Sequence, residues 1–359
     1  MKKFKDILFF SLLCSVILFF GISIFLFPQS EFSSKENRKL STAPKISLKG
    51  VLNGDYFSDL GDFYKDQFPL RNSLTALHSL TELSLGKAEI NGVILAEQST
   101  LIALPKYKDT EAIKNNLDSI YSLSSERSLV YVPPRTIDAF KDLLPSVYPY
   151  DDRVRSLLNK DTKALFDSFL YCGGSYYRTD HHWTTDGAFL AYKQICASLG
   201  ITPYNEDFFK KERVSKDFYG TSFSKSGLPS SLLTPDTITL YRYNWDSSFE
   251  VINHETNQSK SGFYSLDALN TTDKYKVFMG GNYSHVSIKS TTEANRPTLL
   301  LIKDSFANSL IPFLALHYDI EVIDPRYCTP SFLHEQLQRD DFDYTLFVLS
   351  FDTLATKIF

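Results

Sequence analysis

Thr298-Leu299-Leu300-Leu301-Ile302-Lys303-Asp304-Ser305 decides the fold class. An unbroken apolar run of this length reads as a strand buried on both faces, since a half-buried strand would alternate. Lys303-Asp304-Ser305 is a turn, and Phe306 to His317 reads as a helix. Glu321-Val322-Ile323-Asp324 is the next strand and Tyr344-Thr345-Leu346-Phe347-Val348-Leu349-Ser350 a third. Strand, helix and strand in this order imply an α/β layer with a parallel sheet, whose ligands bind beyond the carboxyl ends of the strands. Ser305 stands at such an end, beside a helix N-terminus that favours anions.

Upstream, Asp109 to about Ser125 reads as a helix and Ser128-Leu129-Val130-Tyr131-Val132 as a buried strand before Pro133-Pro134. Val154 to Asn159 and Ala164 to Leu170 read as a helix-strand pair. Phe57, Leu60, Phe63 and Tyr64 recur at helical spacing up to Pro69, and a second helix covers Asn72 to Leu85. Gly92-Val93-Ile94-Leu95 and Leu101-Ile102-Ala103-Leu104 read as short strands. Residues 203–290 are less regular and read as a small β-rich insertion, with Thr237 to Tyr243 alternating as a strand and Val277-Phe278-Met279 as a strand before a Gly280-Gly281 turn. The expected organisation is an anchor at 1–28, a polar stalk at 29–55 and one α/β domain at 56–359, with the insertion at about 203–290.

Lys2, Lys3 and Lys5 precede an uncharged run from Ile7 to Phe27. At helical rise such a run spans roughly 30 Å, the thickness of a hydrocarbon core. The lysines predict a cytoplasmic N-terminus, with everything after Pro28 outside the cytoplasm. A cleaved signal peptide is the rival, but Leu26-Phe27-Pro28-Gln29 holds no small-x-small site. Net charge is −4, which excludes a basic nucleic-acid footprint and a polybasic lipid-binding tract. Cys14 lies in the apolar segment, Cys172 and Cys196 flank a histidine-rich stretch, and Cys328 stands apart. A Cys172–Cys196 disulfide is open, and the spacing fits no zinc framework.

That stretch is Tyr177-Arg178-Thr179-Asp180-His181-His182-Trp183-Thr184-Thr185-Asp186-Gly187, just ahead of a helix from Thr185 to Leu199 ending at Gly200. An Asp-x-His pair supplies a base and the carboxylate that orients it, and Ser305 supplies a hydroxyl for that base to activate. Each part has a plainer use. Ser305 can be a helix cap, Asp180 can cap with incidental histidines, and Gly280-Gly281-Asn282 can be a tight turn. His181, His182 and Asp186 could hold a metal, but adjacent histidines diverge and no further ligand cluster stands out. No metal or other cofactor is expected.

Asp180-His181-His182-Trp183 resembles the motif that names the DHHW protein family. That family is similar to alginate O-acetylation proteins and, more broadly, to SGNH-type hydrolases. Glu36-Asn37-Arg38-Lys39-Leu40, Asp66-Gln67-Phe68-Pro69-Leu70-Arg71, Gly280-Gly281-Asn282-Tyr283 and Lys303-Asp304-Ser305-Phe306-Ala307-Asn308-Ser309 also resemble family segments. The resemblance implies an SGNH hydrolase-like sheet flanked by helices, with Asp180 as orienting acid, His182 as base and Ser305 as nucleophile. Triads are recognised by geometry, so the order Asp, His, Ser is no obstacle. The Ser305 N–H and Asn282 are candidates for an oxyanion hole. Tyr177, Arg178, Arg135 and Lys303 are candidates for an acceptor cleft. The expected activity is O-acetyl transfer to, or removal from, a cell-surface or secreted polysaccharide by a membrane-anchored enzyme. A multispanning membrane acyltransferase is the implied partner and acetyl source. The alternative is a non-catalytic protein that binds polysaccharide or scaffolds an export complex.

Overall fold

In a computed structural model, which describes residues 2–33, 35, 38–107, 109–148, 150–171 and 175–359, the apolar run at Thr298–Lys303 is an interior strand of a seven-stranded sheet. Its strands in chain order are β1 Ser128–Tyr131, β2 Phe249–Asn253, β3 Gln258–Ser261, β4 His285–Ser290, β5 Thr298–Lys303, β6 Asp319–Ile323 and β7 Tyr344–Val348. They lie in the order β3-β2-β4-β6-β5-β7-β1. β6, β5, β7 and β1 are parallel, while β4, β2 and β3 run antiparallel to their neighbours. The sheet is therefore mixed, which corrects the expectation of a parallel one. Much of the stretch read as an insertion supplies these antiparallel strands and so completes the sheet.

β5 is covered on both faces, as its composition requires. Leu299 and Leu301 join a core with Phe189, Tyr192 and Ile195 of the helix Thr185–Ser198. Leu300 and Ile302 join a second core with Ile113, Leu117 and Ile120 of the helix Glu111–Leu123. Each face is closed by a helix whose apolar residues recur every three or four positions.

Three local readings change. Residues 160–171, expected to contain a strand, form the helix Lys160–Tyr171. The Asn159 side chain accepts the Thr162 N–H at its start, and Phe166 and Phe169 face opposite cores from one helical surface. Phe306 to His317 is not one helix but a 3-10 turn, Ser305–Ser309, followed by the short helix Ile311–Leu314. Lys274–Val277 is a 3-10 turn rather than a strand leading into the double glycine.

The chain divides into two compact units, one of residues 1–87 with 224–229 and one holding the sheet. In the first, the helix Lys2–Leu26 includes a stretch, Lys3–Ile24, long and apolar enough to cross a membrane. The Asp55–Gln67 helix ends before Pro69, and the Arg71–Ser84 helix follows. Arg38 makes a bidentate pair with Asp66, with Nη1–Oδ2 at 2.9 Å. Glu36 and Asn37 of the same segment lie outside the described residues. So does Cys172, while Cys196 is a buried free thiol.

Candidate active site

The Asp180-His181-His182 stretch is the tip of a loop pinched shut at its base. Tyr176 and Trp183 pair as an antiparallel bridge, and the Thr184 N–H donates to Ser175 O at 2.8 Å. Thr184 then caps the following helix, accepting the Gly187 N–H. Gly187 is required by close approach, since a Cβ there would sit 2.3 Å from Ser175 O. The Asp236 carboxylate accepts both the Arg178 and Thr179 N–H groups, which fixes the incoming limb. The loop is therefore held by backbone and carboxylate contacts before any of its own chemistry is considered.

At the tip, three side chains stand in line. Asp180 Oδ1 lies 2.5 Å from His182 Nδ1, and His182 Nε2 lies 2.8 Å from Ser305 Oγ. Asp180 Oδ1 also accepts the His182 N–H at 2.9 Å, and Oδ2 accepts the N–H and hydroxyl of Thr221 at 2.7 and 2.9 Å. Burial by itself would raise the Asp180 pKa, but the two imidazoles and these hydrogen bonds hold it well below the usual carboxylate range. Gly220 gives the carboxylate room, because a Cβ there would fall 2.2 Å from Asp180.

The imidazole is clamped from its face. The Tyr275 ring stacks on His182 at 4.1 Å between centroids and 6° between planes. Tyr275 Oη also donates to Ser305 O at 3.2 Å. Trp183 Nε1–H donates to Phe306 O at 2.9 Å and Ser309 Oγ at 3.0 Å, which ties the histidine loop to the serine turn. Both residues are buried, so the spacing of His182 and Ser305 is set by packed aromatic rings.

Ser305 is placed by its neighbour. Asp304 Oδ1 accepts the Phe306 N–H, while Oδ2 accepts the Ser350 N–H and the Thr353 hydroxyl beyond β7. One buried carboxylate thus joins the carboxyl ends of two adjacent parallel strands. Burial opposes its ionisation, but Arg326 and these donors keep its pKa below the ordinary value. Among the described residues the Ser305 N–H has no acceptor, as expected in the first turn of a helix.

The remaining sequence candidates separate. Arg135 lines the cleft in front of Ser305 with His181, Lys106, Arg326 and Phe351. Its guanidinium is held by Asp138, through Nε–Oδ2 at 2.8 Å and Nη2–Oδ1 at 2.6 Å, and by the Tyr107 hydroxyl. Lys303 is buried behind the turn and donates to Asn282 and Asn308 Oδ1 at 3.0 and 2.8 Å. An ammonium only donates, so it fixes which end of the Asn282 amide is oxygen and leaves Nδ2 as its donor end. Tyr177 is buried against Phe218 and Tyr275, and Arg178 bonds to Gln98 O and Pro235 O. Neither lines that cleft. His181 lines it, with Nδ1 2.5 Å from the Thr221 hydroxyl. Burial first and the adjacent His182 second hold its pKa below the ordinary histidine value. Thr221, Gly220, Tyr275, Asp236 and Thr353 were not singled out from sequence, because a residue that acts through contacts across the fold carries no local signal.

A mixed α/β sheet with an Asp–His–Ser line that runs from a buried carboxylate to a half-buried serine at a strand end is the class this architecture defines. Residues 166–323 match the DHHW protein family, which holds the expected resemblance on the segment containing Asp180 and His182. A DHHW family protein from Eubacterium siraeum shares the fold at a TM-score of 0.58, with 22% identity over 75% of this chain and 94% of that one. Bacillus cereus PatB1 shares it at 0.60, with 19% identity over 74% and 98%. A structure of PatB1 with a sulfonyl adduct matches at 0.59, with 20% identity and the same coverage. No curated protein matches the chain.

Proposed function

We propose that this chain is a serine acyl-transfer enzyme on an SGNH hydrolase-like fold. It moves acetyl groups onto or off a cell-surface or secreted polysaccharide, with the Lys2–Leu26 helix as its anchor and the sheet unit outside the cytoplasm. The observation that carries this reading is the unbroken line Asp180–His182–Ser305. A free serine hydroxyl is a weak nucleophile, and an imidazole on its oxygen with a carboxylate on the far nitrogen is the arrangement that activates it.

In the proposed cycle, His182 Nε2 takes the Ser305 Oγ proton as Oγ attacks the carbonyl carbon of an acetyl ester. The C–O bond to the leaving alcohol breaks, the imidazolium returns the proton to that alcohol, and acetyl-serine remains. A sugar hydroxyl, or water, then gives its proton to His182 and attacks the acetyl carbon; the bond from that carbon to Oγ breaks, and the imidazolium returns the proton to Ser305 Oγ. Asp180 stays ionised and holds the Nδ1–H tautomer. The Ser305 N–H and Asn282 Nδ2 are the proposed donors to the oxyanion. Arg135 is a proposed acceptor contact. A multispanning membrane acyltransferase is the proposed acetyl source. The sulfonyl adduct of PatB1 fits this reading, since sulfonyl electrophiles report activated nucleophiles.

Ser305→Ala tests it. Hydrolysis of a chromogenic acetyl ester should fall on the order of 10³-fold or more, and labelling by a sulfonyl fluoride should disappear. Unchanged turnover in this variant would sink the assignment. Glycan binding by a parent protein that is never labelled would favour a scaffold.

A further inference from the structure

A second group of histidines lies on the other face of the sheet. His285 and Ser287 on β4 and Glu321 on β6 alternate with Val286, Ile288, Ile320 and Val322, which belong to the core that also holds Trp183 and Phe306. They therefore project from the opposite face. His254, one residue beyond β2, is bonded through its N–H to His285 O, so it stands across from His285. The two imidazoles stack at 4.0 Å and 18°, with Phe332 against His285.

Their polar atoms converge. His285 Nε2 is 2.8 Å from Glu321 Oε2, Ser287 Oγ donates to the same oxygen at 2.7 Å, and His254 Nε2 is 2.6 Å from Ser287 Oγ. One ligand atom from each of His254, His285 and Glu321 lies within 4.8 Å of the others. Two donors on neighbouring strands and a third on the residue after β2 are thus gathered before any ligand arrives. Two imidazole nitrogens and one carboxylate oxygen are the donor set of zinc and its late first-row neighbours. Tetrahedral ligands at zinc distances lie about 3.3 Å apart. The His285–Glu321 pair therefore needs to open by only about half an ångström to admit an ion.

We propose that His254, His285 and Glu321 bind one late divalent transition-metal ion, with zinc the best fit and water in the remaining position. The ion ties the end of β2 to β4 and β6. It replaces the hydrogen-bonded Ser287 bridge with coordinate bonds on the face opposite the Trp183 core.

Calorimetric titration of the full chain in detergent with Zn²⁺ at neutral pH should show one ion per chain and a raised melting temperature. His254→Gln keeps bulk at an exposed position, and Glu321→Gln keeps the shape of its side chain. Each should weaken the ion at least tenfold and abolish the melting shift, with the metal-free melting temperature serving as the control for folding. His181→Ala, which alters the other histidine cluster, should bind as the parent does. An absence of stoichiometric binding in the parent would overturn the proposal. So would binding that survives both substitutions, or that is lost on changing His181 instead.

Discussion

The two histidine clusters contain nearly the same parts and differ in how these are strung. Each has two imidazoles in contact, tilted at 3.8 Å and 37° in His181–His182 and stacked at 4.0 Å and 18° in His254–His285. Each has a carboxylate and a serine. In the first, the carboxylate meets one nitrogen of His182 and the serine meets the other. The hydroxyl proton has one place to go, and the imidazole that takes it is supported from behind. In the second, the Ser287 proton goes to the carboxylate directly, and both imidazoles approach from the same side. A linear arrangement moves a proton, whereas a convergent one gathers lone pairs around a point. Residue content does not separate them, and only direction does.

The strongest way to break this contrast is to spoil the line. Asp180→Asn keeps the shape but not the charge or the tautomer, and should lower ester turnover on the order of 10⁴-fold. The same substitution bears on acid stability. The folded-state pKa of Asp180 lies below its ordinary 3.8, so its contribution is complete above that pH and is lost as pH falls toward the folded value. Unfolding of Asp180→Asn followed against pH should show a shallower acid limb than the parent. A parent-like slope would mean that the carboxylate is not held as described.

A smaller effect is expected where the line is bent rather than cut. Gly220→Ala forces Asp180 aside while leaving every reacting group present. Turnover should fall roughly 10²-fold, as for a displacement of about 1 Å, with a destabilisation of about 1–3 kcal/mol from overpacking. Steady-state kinetics and denaturant unfolding read the two separately.

The smallest effect sharpens the other side of the comparison. Ser287→Ala removes the hydroxyl shared by His254 and Glu321. It should cost about 1 kcal/mol in unfolding free energy. A much larger loss would mark Ser287 as a central strut rather than a bridge.

Much of this molecule was legible in the chain. The apolar run Leu299–Ile302 gave a strand buried on both faces, because it is short and ends in the Lys303-Asp304-Ser305 turn, where a buried helix would run on. Asp180, His182 and Ser305 were nameable through the segments that resemble the DHHW family, since each residue alone has a plainer use. The apolar N-terminal helix followed from length and composition alone. The failures share a cause. Lys160–Tyr171 was misjudged because a short apolar run fits either period, and its helix is decided by the Asn159 cap and by cores on both sides. The mixed sheet was missed because strand direction depends on partners far along the chain, as β4 between β2 and β6 shows.

The sequence by itself determined which residues could take part. Periodicity, charge and side-chain chemistry are local properties, so they survive without coordinates. Tertiary structure alone decided the partners. It brought His182 to Ser305, laid Tyr275 on the imidazole, buried Lys303 away from the cleft and gathered His254, His285 and Glu321 on one face. Each of these depends on the register of strands and on packing across the sheet, where separation along the chain sets no limit on proximity in space.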